Sequence, residues 1–319
     1  MSPLSVSLCV PLWDPQPHHL RSLLGSIRRQ SYPALEVVIV DDGETGELEA
    51  LVADIGLPAV TVFRNERRLG MVANWNEAAR RATGDLAMVL GQDDALGDGM
   101  IDRYAREFTR AADVVACSAG EVWIGDDDRE VRVPRRPNRR ERIFRERDRY
   151  VLDQGDLVRL CLRNGQVYGE PSAVMFRRSA FEAVGGYRSE FGHVADLDLD
   201  LRLAGEGPVV YLPQPLVRRR IHPRMTTVAQ QASGETADAR ERLHRAWIDH
   251  PALSSRDRDR ARVALASWAA RDVVKAGLSR RWDVARQQSG VVRRYGRNPW
   301  RYVAENVAEL ATGVNRDAC

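Results

Sequence analysis

The feature that most constrains this chain is the alternation of short apolar segments with helical patterns in its first part. The apolar segments are Val6 to Val10, Val37 to Val40, Ala59 to Phe63, Leu86 to Leu90 and Val114 to Cys117. Strands without polar alternation are typical of a parallel sheet that is covered on both faces. The pattern therefore predicts an α/β domain with a mostly parallel sheet flanked by helices.

Polar residues follow the predicted strands at the point where each strand ends. The four segments are Pro11 to Asp14, Asp41-Asp42, Arg64-Asn65 and Gln92 to Asp94. Ligands of open α/β sheets bind beyond the carboxyl ends of the strands. We therefore expect these side chains to lie along one rim of the sheet.

Two of these segments contain paired acids. Adjacent carboxylates such as Asp93 and Asp94 can hold a hard divalent cation against a diphosphate. Either pair alone is also explained by a turn with solvated acids. Their occurrence at two strand ends of one sheet favours a binding site.

The second half of the chain is harder to interpret. Gly125 with Asp126 to Asp128 predicts a hairpin turn, and the arginine-rich segment 129–149 lacks apolar periodicity. This segment predicts an exposed loop or a poorly packed helix, although a lid over a diphosphate and a contact with an anionic acceptor or membrane surface remain open. Residues beyond about Met225 predict helices only, including an amphipathic one after Asn298 and Pro299.

Composition narrows the class of protein. The net charge is only +3 over 319 residues, which argues against a nucleic-acid partner. We expect no signal peptide and no membrane span. The four cysteines show no paired metal spacing, so a reducing, cytoplasmic location is expected.

Seven segments, in the right order, resemble family 2 glycosyltransferases with the GT-A fold. They include VSLCVP at 6–11, EVVIVDDG at 36–43, LGQDD at 90–94, VGGY at 184–187 and DLDLDLRL at 196–203, together with residues 65–85 and 211–222. The resemblance implies a nucleotide-sugar-binding half at 1–118, an acceptor-binding half at 119–225 and a helical extension at 226–319.

The resemblance also implies roles for the residues at the strand ends. Asp41 would bind the nucleotide base, Pro11 and Asp14 would line the base and ribose pocket, and Asp93 would contact the ribose. Asn65 would belong to the same nucleotide site.

A second set of implied roles concerns the diphosphate and the acceptor. Asp94 would ligate Mn²⁺ or Mg²⁺, and His222 would be a further metal ligand or a diphosphate contact. Arg220 would contact phosphate, with a surface salt bridge as its alternative. Asp196 would be the general base, and a helix N-cap is its structural alternative.

Two positions depart from the family pattern. Ala195 stands where members often have a glutamate before the base, so the pKa of the base can differ. Gly91 and Gln92 replace an aspartate and a small residue, which leaves one carboxylate fewer for the metal.

The resemblance predicts an inverting transferase that moves a sugar from a UDP- or dTDP-sugar to a hydroxyl or amine. The acceptor, a polysaccharide precursor or a small natural product, remains open, as do a peripheral membrane contact and a homodimer. The alternatives are a degenerate nucleotide-sugar-binding protein and a sugar nucleotidylyltransferase. The latter would need a glycine-rich phosphate loop after the first strand, where this chain has Pro11 to Pro15.

Overall fold

The computed structural model describes residues 3–33, 35–43, 45–46, 48–57, 59–132, 139–222 and 235–296. The amphipathic helix predicted after Asn298 lies outside these residues, as do Arg135 and Arg136 of the arginine-rich segment.

The described strands form one mixed sheet. They are β1 (Val6–Leu12), β2 (Leu35–Asp41), β3 (Val60–Arg64), β4 (Leu86–Val89), β5 (Ala95–Leu96), β6 (Ala116–Ile124), β7 (Tyr150–Leu152), β8 (Val174–Arg177) and β9 (Val209–Arg220). Their order is β3-β2-β1-β4-β8-β6-β9-β5, and β7 pairs with β9. Strands β1 to β4 are parallel, as are β6 and β9, whereas β8 runs antiparallel to both β4 and β6.

The helices of the α/β part follow the strands in chain order. They are α1 (Pro17–Arg28), α2 (Leu48–Ile55), α3 (Met71–Arg80), α4 (Met100–Arg110), α5 (Arg139–Ile143), α6 (Gln154–Asn164), α7 (Arg178–Ala183) and α8 (Ala195–Glu206). Two 3₁₀ segments, Pro171–Ala173 and Ser189–Val194, precede β8 and α8.

Strand β1 shows why the first strands are apolar along their whole length. All seven of its residues are buried. Leu8 and Val10 pack in a core with α1, α2 and α4, whereas Cys9 packs in a second core on the opposite face with α3, α6 and α8. The predicted α/β class with helices on both faces of the sheet is confirmed.

Strand β9 is the longest of the described strands, with 12 residues. It continues through a partly polar segment to Arg218, Arg219 and Arg220. Arg218, Arg219 and Arg220 pair with Glu130, Glu170 and Asp128, respectively, so the segment forms a strand in spite of its charge.

The remaining helices are α9 (Glu235–Trp247), α10 (Ser255–Leu278) and α11 (Trp282–Tyr295). Helix α9 packs against the 3₁₀ segment before α8, α10 packs against α6, and α11 packs against α10. The predicted helical extension is therefore present. None of the helices within the described residues has the length and hydrophobicity of a membrane-spanning helix.

Candidate active site

The ends of β1 and β4 are joined through Gln92. The backbone N–H of Trp13 donates to Gln92 Oε1 at 2.8 Å, and Gln92 Nε2 donates to the Trp13 carbonyl at 2.9 Å. The indole of Trp13 is half exposed, and the guanidinium of Arg68 lies 4.0 Å from its ring centroid. Buried Pro11 and the exposed Asp14, whose φ is 44°, flank this pair on β1 and the loop after it.

The end of β2 carries two buried carboxylates that organise the neighbouring loops. Asp41 accepts hydrogen bonds from the Thr45 backbone at 2.9 Å and from the Thr45 hydroxyl at 2.8 Å. Asp42 accepts from Asn65 Nδ2 at 2.8 Å and from two backbone N–H groups of the loop before α3. Asn65 therefore supports Asp42 from within the rim, and its role in nucleotide binding stays a prediction.

Asp93 and Asp94 follow β4 and point to different partners. Asp93 Oδ2 lies 2.8 Å from Nε2 of His222, which is just beyond the end of β9. Asp94 accepts from the Ser172 hydroxyl at 2.5 Å and from the Arg220 backbone N–H at 3.0 Å. The fold thus brings together Asp93, Asp94 and His222, although Asp93 and His222 are 129 residues apart in the sequence.

The electrostatics of this acidic pair suit a cation. Burial raises the pKa of Asp94 to about 7, and the charge of Asp93 adds to the rise. Burial also acts to raise the pKa of Asp93, but the hydrogen bond and charge of His222 outweigh it and lower that pKa. A cation would offset the repulsion between the carboxylates.

The backbone leaves room beside the two carboxylates. A Cβ added at Gly91 would lie 3.0 Å from Asp94 Oδ2 and 3.2 Å from Asp93 Oδ1. Gly91 has no side chain at a position where family members often have an aspartate. The small space beside its Cα is therefore lined by carboxylate oxygens. Oxygen donors with one imidazole fit Mn²⁺ or Mg²⁺.

The side chain of Arg220 is not exposed to the site, as a phosphate ligand would be expected to be. Its side chain is fully buried, and the guanidinium donates to the carbonyls of Asp93 and Gly125, to Ser22 and to the Asp128 carboxylate. Arg220 does form a salt bridge with Asp128, in which the guanidinium is buried and the Asp128 side chain is 53% exposed. These contacts support a role in positioning Asp93, and a direct phosphate contact stays a prediction without geometric support.

Asp196 lies in the first turn of α8. The N-cap of α8 is Val194, so the structural alternative of an N-cap at Asp196 is wrong. Asp196 Oδ1 accepts from the Leu197 N–H at 2.8 Å, and Gln166 Nε2 lies 3.5 Å from Oδ2. The carboxylate is buried, with 8% of the residue exposed.

The acids of α8 divide between two faces. Gln166 Nε2 also donates to Asp200 Oδ2 at 3.2 Å, so Asp196 and Asp200, four residues apart, share one partner. Asp198 points to the other face, where it pairs with Arg188 and with Arg202 at 2.9 Å. Asp198 is thus structural, and the four-residue spacing of Asp196 and Asp200 is the sequence signal that places these two acids on one face of α8.

A buried network of charges lies between Asp94 and Asp196. Arg140 contacts Glu121 at 2.7 Å and Glu170 at 2.8 Å, and Arg219 also pairs with Glu170. Burial opposes the charged form of Glu170, but the charges of Arg140 and Arg219 lower its pKa to about 2. The interpretation of segment 129–149 as an exposed loop is therefore wrong for Arg140, which is 5% exposed.

This network lies within electrostatic reach of Asp94 and Asp196, the predicted metal ligand and general base. Burial, and after it the charge of Glu170, raises the pKa of Asp196 to about 7. The charge of Arg219 acts in the opposite direction on both Asp94 and Asp196. Arg219 is therefore within electrostatic reach of both carboxylates. No sequence motif pointed to Glu170 or Arg140.

The sequence profile described as Glycosyl transferase family 2 matches residues 7–185, which is more than half of the chain, so the chain belongs to this family of glycosyltransferases. Over 263 residues it is 28% identical to the Mycobacterium tuberculosis protein MT1568, covering 82% of this chain and 80% of that protein. It is also 28% identical to the Bacillus subtilis glycosyltransferase YwdF, covering 61% of this chain and 66% of YwdF. A third relative is the glucosyl-dolichyl phosphate glucuronosyltransferase of Haloferax volcanii, which is 26% identical and covers 58% of this chain and 55% of that enzyme.

Solved structures share the fold at lower identity. The mannosyltransferase PcManGT from Pyrobaculum calidifontis, in complex with GDP-Man and Mn²⁺, superposes with a TM-score of 0.61 at 17% identity, covering 99% of this chain and 82% of that one. S. aureus TarS gives a TM-score of 0.59 at 16% identity, covering 83% of this chain and 43% of TarS. The predicted GT-A fold is thus confirmed.

Ser172 provides a test of how Asp94 is held. Its hydroxyl accepts from the Gly91 N–H at 2.7 Å while it donates to Asp94. We expect Ser172→Ala to weaken Mn²⁺-dependent nucleotide binding about tenfold, because groups that orient a metal ligand typically contribute 10–100-fold to metal affinity. Calorimetric titration measures the change. Ser179→Ala on the exposed face of α7 is the control, and equal affinities of the two variants would contradict this role.

Proposed function

We propose that the enzyme transfers a sugar from a nucleoside diphosphate to a hydroxyl or amine in a single displacement with inversion. The observation that carries this proposal is the arrangement of two carboxylates around one charge network. Asp94 belongs to an acidic pair suited to a cation, and Asp196 is a buried carboxylate with a pKa near neutrality. Arg219 is within electrostatic reach of both.

The reaction needs a base for the acceptor and stabilisation for the leaving group. Asp196 takes the proton of the acceptor as its oxygen or nitrogen bonds to the anomeric carbon, while the bond from that carbon to the diphosphate oxygen breaks. A carboxylate with a pKa of about 7 is well matched to this task at neutral pH. Gln166 orients Asp196 from the side of Asp200.

A divalent cation, Mn²⁺ or Mg²⁺, would be held by Asp94 and His222 next to Asp93. When bound, it would neutralise negative charge on the departing nucleoside diphosphate. The presence of Mn²⁺ in the PcManGT complex supports a cation in this fold. The small space at Gly91 and the oxygen-rich donor set support its position in this chain.

The donor that we propose is a UDP- or dTDP-sugar, with Pro11, Asp14, Asp41, Asn65 and Asp93 on the nucleotide side. The Asp41 carboxylate can accept from a ring imide, although the Thr45 N–H and hydroxyl already occupy it. A base would therefore have to displace or share these bonds. Because PcManGT was solved with GDP-Man, a guanosine donor belongs in any screen.

The assignment of halves follows the same proposal. Residues 1–118 supply the nucleotide side, residues 119–225 the acceptor side and residues 226–319 the helical extension. Cys9, Cys117 and Cys161 are free and buried, which suits the reducing cytoplasm where we place the enzyme. The acceptor is a polysaccharide precursor or a small natural product, and the glucuronosyltransferase relative named for a dolichyl phosphate adds a lipid-linked sugar to the candidates.

Asp94→Asn and Asp196→Asn separate the two roles. Both variants should lose slow hydrolysis of the donor sugar, a readout that needs no acceptor. For Asp196→Asn we expect a loss of about 10²–10⁴-fold in kcat with nucleotide binding intact, because only the proton acceptor is removed. For Asp94→Asn we expect Mn²⁺ to stop strengthening nucleotide binding in calorimetric titrations.

Asp98→Asn is the matched control for these variants, because Asp98 is an exposed acid on the same side of the sheet, after β5. Normal turnover in both Asp94→Asn and Asp196→Asn would contradict the proposal. Nucleotide-sugar binding by the wild type without metal dependence and without hydrolysis would favour a degenerate binding protein.

The pH profile tests Asp196 independently. A general base acts in its deprotonated form, so kcat/KM should rise as the pH increases through about 7 and level off above. The charge of Glu170 contributes to this raised pKa, so Glu170→Gln should move the midpoint to lower pH. Glu121→Gln, in the same ion network, is the control and should leave the midpoint in place. A profile that is flat across neutral pH would contradict the assignment.

A further inference from the structure

A cluster of imidazoles and a carboxylate lies beside the donor site, on the far side of Asp93. His18 and His19 are in the first turn of α1, and Asp126 is in the turn after β6. His19 Nε2 lies 2.8 Å from Asp126 Oδ1, and the rings of His18 and His19 have centroids 4.1 Å apart. One ligating atom from each residue lies within 4.8 Å of the other two.

The imidazole of His19 is buried, with only 3% of its side chain exposed. Its Nε2 faces the Asp126 carboxylate at 2.8 Å, so Nε2 is the ring nitrogen that a cation shared with Asp126 would bind, in place of the present hydrogen bond. Its Nδ1, which has no hydrogen-bond partner among the described residues, can then carry the ring proton.

The surroundings carry enough negative charge for a cation. The start of α1 and the guanidinium of Arg220 oppose a positive ion. The negative charges of Asp126 and Asp93 offset the positive end of α1. Asp128 already neutralises Arg220 through an ion pair. The His222 ring, which bonds to Asp93, has its centroid 4.9 Å from that of His19.

We propose that His18, His19 and Asp126 form a second metal site, which binds a borderline divalent cation such as Zn²⁺, Co²⁺ or Ni²⁺. Two imidazoles and one carboxylate are the ligands that these ions prefer, whereas Mg²⁺ and Mn²⁺ favour oxygen donors. The site is distinct from the cation that we place at Asp94. A bound ion would join α1 to the turn after β6, the two elements that also hold Arg220 through Ser22 and Asp128.

Titration of the full-length, nucleotide-free protein with Co²⁺ tests this proposal, because Co²⁺ reports imidazole ligation through its visible absorption. His18→Ala and Asp126→Asn are suitable variants, since both side chains are exposed and their loss should leave the fold intact, as checked by circular dichroism. Asp127→Asn, in the same turn, is the matched control. The His18→Ala, Asp126→Asn and Asp127→Asn variants are made in an Asp94→Asn background, so that Co²⁺ at the donor site does not contribute to the signal.

We expect Co²⁺ to bind the wild type, Asp127→Asn and Asp94→Asn with similar affinity. Binding should weaken more than about tenfold in His18→Ala and in Asp126→Asn, because each loses a ligand. Retention of the wild-type affinity in either of these two variants would overturn the proposed ligand set. Loss of binding in Asp94→Asn, or no Co²⁺ binding by the wild type, would overturn the second site altogether. None of these outcomes depends on sugar transfer, so they are distinguishable from failure of the proposed function.

Discussion

The two halves of the sheet meet at the carboxylate of Asp94. This residue follows β4, the last parallel strand of the first half, and it accepts hydrogen bonds from Ser172 before β8 and from the backbone of Arg220 at the end of β9. Together with the pairing of β5 with β9 and the bond from Arg220 to the Asp93 carbonyl, these bonds hold the loop after β4 in place beside β9 and His222. The geometry of the rim therefore depends on a buried carboxylate whose charge must be offset. In the function that we propose, a cation at Asp94 would supply that offset.

The same electrostatic principle extends to the acceptor side. Glu170 stays ionised because Arg140 and Arg219 surround it, and its charge then contributes to the raised pKa of Asp196. One ion network thus keeps one carboxylate charged and helps to poise another near neutrality. Because Arg140 comes from the arginine-rich segment, that segment contributes to the interior of the enzyme rather than only to its surface.

The sequence predicted the first half of the fold well, and the physical reason is visible in β1. Leu8 and Cys9 are buried on opposite faces, so the strand had to be apolar throughout. Strands β5 and β7 have only two and three residues, which is too short for a hydrophobic pattern to be recognised in the sequence. The polar end of β9 was missed because its arginines are paired within the fold.

The candidate site shows a similar division. Asp93, Asp94 and Asp196 were predicted from motifs because acidic residues at strand ends and helix starts stand out in a sequence. Glu170 and Ser172 were not, because their importance arises from partners that are distant along the chain. Arg220 lies in a segment that resembles the family. Only the structure shows that its guanidinium donates to the Asp93 carbonyl and the Asp128 carboxylate.

A crystal structure with UDP and Mn²⁺, in which anomalous scattering locates the ion, would decide whether one cation and one base serve the same reaction. We expect Mn²⁺ in contact with Asp94 and the diphosphate, the base beside Asp41, and Asp196 facing the space where the anomeric carbon would lie. An ion bound away from Asp94, or a nucleotide in a cavity that Asp196 does not face, would contradict this expectation.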